Sequence, residues 1–244
     1  MGTMKDSRGI NPSDPGASSR LTERLKETNQ ATWSAVTGHP FVKHLGTGDL
    51  REEVFAEYLV QDYAFLDGLI SGFGFAVGQA PGQSERRPLV EFLELLTAEE
   101  YDYFERAFDA LEISQSRRSD PTLAEPTETF LELLVAATRT GDYAESLAVL
   151  VPAEWVYLEW ASSLGNGLNG SADGEPSLPW YYEEWIEMHA STSFATFVET
   201  LRHQLDTLGA ELSPRRRNRV ERLFGRTVDL ELAFFDRHLP GTDQ

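Results

Sequence analysis

Residues 39–66 read HPFVKHLGTGDLREEVFAEYLVQDYAFL, and the reading of this stretch decides the fold. From Asp49 onward the pattern is helical. Asp49 stands where a helix N-cap would, and Glu52 follows three residues later, the spacing of a capping box. Phe55, Tyr58, Asp62, Phe65, Leu66 and Leu69 then recur at intervals of three and four, so they share one face. That face is apolar and aromatic except for Asp62. A carboxylate rarely goes inside unless it is paired or hydrogen-bonded. Asp62 is therefore either a structural ion-pair partner or a ligand contact.

Outward from this helix, nearly every segment has the same period. Helices are expected over 20–36, 49–79, 86–110, 127–140, 142–164, 180–207 and 213–238. Breakers separate them: Gly46 to Gly48, Pro81-Gly82, the 113–126 segment with Pro121 and Pro126, Gly141, and Ser213-Pro214. No segment alternates as a strand. The longest break is 165–179, GNGLNGSADGEPSLP. Residues 1–19 are rich in Ser, Gly, Pro and Asp without an apolar period, which reads as a disordered tail. The expectation is an all-α protein, a single helical bundle over residues 20–240.

Composition narrows the function. The 244 residues contain no Cys, which removes disulfides, thiolate metal sites and cysteine nucleophiles. No run of about 18 apolar residues suggests a membrane span, and the N-terminus lacks a basic-then-apolar leader, so the expectation is a cytoplasmic protein without membrane contacts. The formal charge is −19, with Lys only at Lys5, Lys26 and Lys43. Such a surface is unsuited to nucleic acid, which needs clustered cations. Many acids, few Lys and no Cys point to adaptation to high salt, where screening suppresses self-repulsion. An ordinary acidic protein is the rival reading.

Two further helices repeat the anomaly of Asp62. In one, Leu147, Leu150, Val151, Glu154, Tyr157, Leu158 and Ala161 form a stripe interrupted by Glu154. In the last, Glu231 lies among Phe224, Thr227, Val228, Phe234 and Phe235. Burial raises carboxyl pKa values, and neighbouring carboxyls push them apart, leaving one acid and one base. General acid–base hydrolysis needs that arrangement. The structural alternative is that each acid pairs with an arginine such as Arg139, Arg226 or Arg237, or lies at a wet helix margin. Trp180-Tyr181-Tyr182-x-x-Trp185 supplies rings suited to a planar heterocycle, although core packing is the better reading for most of them, with Tyr182 the exception. No Glu lies three residues before a His, so the paired Glu-x-x-His signature of a di-iron bundle is missing and no metal is expected.

The chain resembles the TenA/thiaminase II family. The resemblance rests on His39-Pro40-Phe41, Gly48-x-Leu50, Phe55-x-x-Tyr58, Gln61-Asp62, the Pro152 segment before Tyr157, Tyr182-x-x-Trp185-Ile186 and Glu231-x-x-Phe234-Phe235, in that order over about residues 21–238. It implies a haem-oxygenase-like fold, a homotetramer or dimer, and hydrolysis of a C–N bond at the aminomethyl carbon of a 4-amino-2-methylpyrimidine in thiamin salvage, without a cofactor. It implies that Asp62 grips the ring amidine, that Tyr182 (or Tyr181) lies near the ring, and that Glu231 acts with Phe234 beside it. Tyr157 is expected in the same pocket. Two departures stand out: the nucleophilic Cys that follows the Pro in the main branch is replaced by Ala153, and two pocket tyrosines are replaced by Phe65 and Phe130. The resemblance therefore points to a Cys-lacking branch in which Glu154 and Glu231 act as a catalytic pair. A non-catalytic pyrimidine-binding or regulatory protein, or an oxidase on the same fold, are the alternatives.

Overall fold

Leu147 to Val156 are buried on every side, a helix without a solvent face. A helix that is apolar all round must lie at the centre of its domain. This one, α9 (Tyr143–Leu168), does so: most of the other helices pack against it. The computed structural model describes residues 20–168 and 178–239. The tail expected over 1–19 and most of the loop at 165–179 lie outside those residues. The remaining elements in chain order are α1 (Leu21–Thr28), α2 (Gln30–Thr37), α3 (Pro40–Thr47), α4 (Glu52–Gln79), α5 (Gln83–Leu95), a π-helical turn (Leu96–Glu100), α6 (Tyr101–Ala110), α7 (Gln115–Ser119), α8 (Glu125–Thr140), α10 (Trp180–Ala190), α11 (Thr192–Gly209) and α12 (Pro214–His238). Among the described residues there is no strand, and no helix is long and apolar enough to cross a membrane. Around α9 stand α12, α10, α11, α8 and α4, and α4 in turn packs on α5 and α8.

Several boundaries differ from the sequence reading, each for a local reason. The helix expected over 20–36 divides at Asn29, whose side-chain amide donates to the Leu25 carbonyl at 2.7 Å and ends α1. The one expected over 180–207 divides at Ser191, which is extended and accepts from the Phe194 N–H. There a cap overrides an unbroken apolar period. Segment 86–110 starts earlier, at Gln83, and contains the wide π turn. Helix α9 runs to Leu168, into the stretch read as loop.

The capping box at Asp49 is also corrected. Arg51 is the N-cap of α4 and makes no side-chain cap, while the Asp49 carboxylate accepts from the Thr47 hydroxyl at 2.7 Å. The missed helix α3 explains the His-Pro-Phe motif instead. His39 Nδ1 accepts from the Phe41 N–H, Pro40 fills the first turn where no donor is needed, and Gly48 ends the helix at φ 76°, a conformation that favours glycine. This motif builds a helix; it does not face the cavity described next.

Candidate active site

Five elements and the π turn converge on one cavity inside the bundle. The stripes that form the core bring them there. Helix α4 contributes Asp62, Phe65 and Leu69; α8 contributes Phe130; α9 contributes Ala153, Glu154 and Tyr157; α12 contributes Glu231 and Phe234. Helix α10 adds Trp185 and His189, and the π turn adds Glu100. The walls are mostly rings and the polar atoms are mostly carboxyls, a lining suited to a flat, nitrogen-bearing ligand. Phe65 and Phe130 form a tilted pair at 4.6 Å between ring centres.

The acids have no cation. Glu154 is 7% exposed and Glu231 3%, and among the described residues no Lys or Arg lines the cavity. The arginines that could have paired with them, Arg139, Arg226 and Arg237, are exposed. Burial raises the Asp62 pKa to about 7, against the hydroxyls of Tyr58 and Tyr157, which favour its charged form. Burial and then the nearby Asp62 raise Glu154 to about 8. Glu231 is pushed well above the carboxylate range by burial, then by Asp62 and Glu154. The cluster thus holds protons around neutrality and can exchange them with a ligand.

Asp62 sits on a support of fixed hydrogen bonds. The Trp185 indole donates to the Tyr58 hydroxyl at 3.2 Å, which lies 3.0 Å from the Tyr157 hydroxyl. Its sequence neighbour Gln61 faces the other way. The Gln61 amide donates to the Thr122 carbonyl and accepts from the Ala124 N–H and the Thr127 hydroxyl, pinning the entry to α8. The Gln-Asp pair therefore divides into a structural clamp and a cavity acid.

The placement of Tyr182 is a correction. It does not line the cavity; its hydroxyl donates to the Leu50 carbonyl at 2.8 Å and its ring packs edge-on against Phe55. Tyr181 is no substitute, because its hydroxyl donates to Glu52. The aromatic run turns Trp185, not Tyr182, toward the cavity.

Sequence reasoning missed Glu100, Trp185 and His189 as lining residues. Glu100 could have been found by the criterion that picked out Asp62. It is the one acid on the stripe Leu89, Phe92, Leu96, Glu100, Tyr103, Phe104, all of which are buried. Acidic Glu99, Asp102 and Glu105 flank it in sequence, so a single acid on the apolar stripe does not stand out there. Among the described residues, no three His, Asp or Glu side chains are arranged to hold a metal ion.

An all-helical bundle around an acid-lined aromatic cavity defines the class of protein. The chain belongs to the TENA/THI-4/PQQC family, whose model matches residues 26–240. An aminopyrimidine aminohydrolase of Halalkalibacterium halodurans is 28% identical over 215 residues, covering 87% of this chain and 92% of the relative. Among solved structures, a TenA family transcription regulator from a Silicibacter species superposes with a TM-score of 0.79 at 25% identity, covering 91% of this chain and 97% of that one. A domain with a haem oxygenase-like fold from Shewanella denitrificans, at 15% identity, covers 89% of this chain and 91% of that one with a TM-score of 0.64, which supports the fold alone.

Proposed function

We propose that this protein hydrolyses the exocyclic C–N bond of aminomethyl- or formylaminomethyl-pyrimidines derived from thiamin, within one domain spanning about residues 20–240. The observation that carries the reading is the set of buried carboxyls without a cation, between aromatic walls. The two acceptor oxygens of a carboxylate at Asp62 match the 4-amino N–H and the neighbouring ring nitrogen of a 4-aminopyrimidine once that nitrogen is protonated. Glu231 holds a proton on a ring nitrogen, and Phe65, Phe130, Tyr157 and Phe234 sandwich the ring. Glu154, with a pKa near working pH, takes a proton from the attacking water. The water oxygen bonds to the methylene carbon as the C–N bond breaks and its electron pair leaves on nitrogen.

Ala153 lines the cavity where the resemblance places a nucleophilic Cys. A bulky thiazolium leaving group calls for covalent activation of the ring, which an alanine methyl cannot provide. We therefore expect ammonia release from the aminomethyl-pyrimidine, formamide release from the formylaminomethyl-pyrimidine, and weak cleavage of thiamin. Glu154→Gln should lower turnover by about 10²–10⁴-fold while ring binding persists through Asp62. Both are read by product release in molar salt. Tight pyrimidine binding without turnover in the wild type would instead support a binding or regulatory role.

The finer expectations belong to the same proposal: a Cys-lacking, salt-adapted, cytoplasmic protein that assembles as a dimer or tetramer and binds a small molecule in place of nucleic acid. The charge of −19 supports the salt reading. Melting temperature should rise steeply from low to molar KCl, and light scattering in the same buffers reports the oligomer. A melting temperature indifferent to salt would remove the support for salt adaptation.

A further inference from the structure

The cavity contains one more acid than this mechanism uses. Glu100 is 8% exposed, closes the π turn, and lines both the cavity and a wide surface hollow next to it. His189 is the other polar side chain shared by the two spaces. The Glu100 carboxyl makes no hydrogen bond to another described side chain or backbone group, so a buried acid faces the passage without a partner. His189 Nδ1 lies 2.9 Å from the Trp185 carbonyl, which fixes the proton on that nitrogen and leaves Nε2 as an acceptor. The hollow beyond is acidic, with Glu99, Asp102 and Glu187 on its walls, and its one arginine, Arg106, is bound to Glu184.

With the ring held between Asp62 and Glu231, the exocyclic nitrogen needs acceptors, and this boundary supplies them. We propose that Glu100, with His189 beside it, forms the subsite for the leaving nitrogen, and that the acidic hollow is the exit for the released amine. The assignment rests on the function proposed above and adds its selectivity: the site prefers substrates whose leaving nitrogen is a protonated amine. The step balances. Water bonds through oxygen to the methylene carbon and gives a proton to Glu154. The C–N bond breaks, nitrogen keeps the electron pair, and the departing ammonia takes up that proton, leaving alcohol and ammonium. Burial, with Glu154 and Asp62 nearby, raises the Glu100 pKa well above the carboxylate range, so a cationic nitrogen would draw out its charged form.

The test compares two ligands with the same ring. In the full chain carrying Glu100→Gln, the KM for aminomethyl-pyrimidine should rise about 10-fold or more, the loss of one charge-assisted hydrogen bond. The inhibition constant of the hydroxymethyl-pyrimidine product should stay within about twofold, because it has no amine to lose that contact. The formylaminomethyl substrate, whose nitrogen is neutral, should change less than the amine. Equal weakening of substrate and product, or no change in either, would overturn the assignment. If Glu100→Gln does not fold, Glu100→Asp decides by the same ratio. A wild type that neither turns over the amine nor binds the product overturns the function itself, whereas an active wild type whose variant shows no selective loss of the amine overturns only this subsite.

Discussion

Asp206 and Glu154 are both carboxylates held largely inside the bundle, and they are treated in opposite ways. Asp206 on α11 accepts from Arg20 Nε at 2.5 Å and from the Thr22 N–H and hydroxyl at 2.7 and 3.2 Å. Arg20 also reaches Glu199, and Arg202 joins Glu199 and Glu23 while stacking on Trp155 at 3.7 Å. Every charge in that corner is answered, and the corner ties α1 to α11. Glu154, Glu231, Asp62 and Glu100 share a cavity that no Lys or Arg lines among the described residues. Leaving a charge inside without a partner destabilises the fold, so this is the pattern that the proposed ligand-binding role requires.

The largest consequence concerns pH. The folded chain holds protons on Asp62 up to about pH 7 and on Glu154 up to about pH 8. The unfolded chain has lost them above about pH 4. Folding therefore takes up protons in this window, and raising the pH from 5 to 9 should lower stability by roughly 6 kcal/mol if the two titrate independently. Activity should rise over the upper part of the same window as Glu154 ionises. Denaturant melts and kcat/KM across pH read the two trends. Stability that holds level or climbs toward pH 9 would mean that the cavity acids are paired after all.

A smaller effect separates the two regions by mutation. Asp206→Ala leaves Arg20 with Glu199 alone and the Thr22 N–H without an acceptor, and should cost about 1–3 kcal/mol while leaving turnover per folded molecule unchanged. Glu231→Gln removes a group that must take up a proton on folding and should gain about 1 kcal/mol or more at pH 8 while activity falls. Paired urea melts and rate assays would break the comparison if both variants lost stability alike.

Much of this contrast was legible in the sequence, because an acid on an apolar stripe is visible wherever the helix is long. Asp62, Glu154 and Glu231 lie mid-helix in α4, α9 and α12, where the period is sustained over many turns. Glu100 carried the same signal, but flanking acids hid it. Tyr182 was misjudged because an aromatic run does not say which ring faces which side; Trp185 three residues on takes the inward position. Helices of eight residues or fewer, such as α1, α3 and α7, hold too few turns for a period to show, and their ends are set by single residues such as Asn29 and His39. The missing cations were not legible at all, since pairing depends on which distant arginine the fold delivers.

The most direct test is a calorimetric titration of 4-amino-5-hydroxymethyl-2-methylpyrimidine into the wild type, Asp62→Asn and Asp206→Asn under conditions where all three are folded. The account predicts binding by the wild type and by Asp206→Asn with similar affinity. Asp62→Asn should bind about 10–100-fold more weakly, the cost of losing a charge-assisted pair of hydrogen bonds to the ring. Undiminished binding by Asp62→Asn, or loss of binding in Asp206→Asn alone, would contradict it.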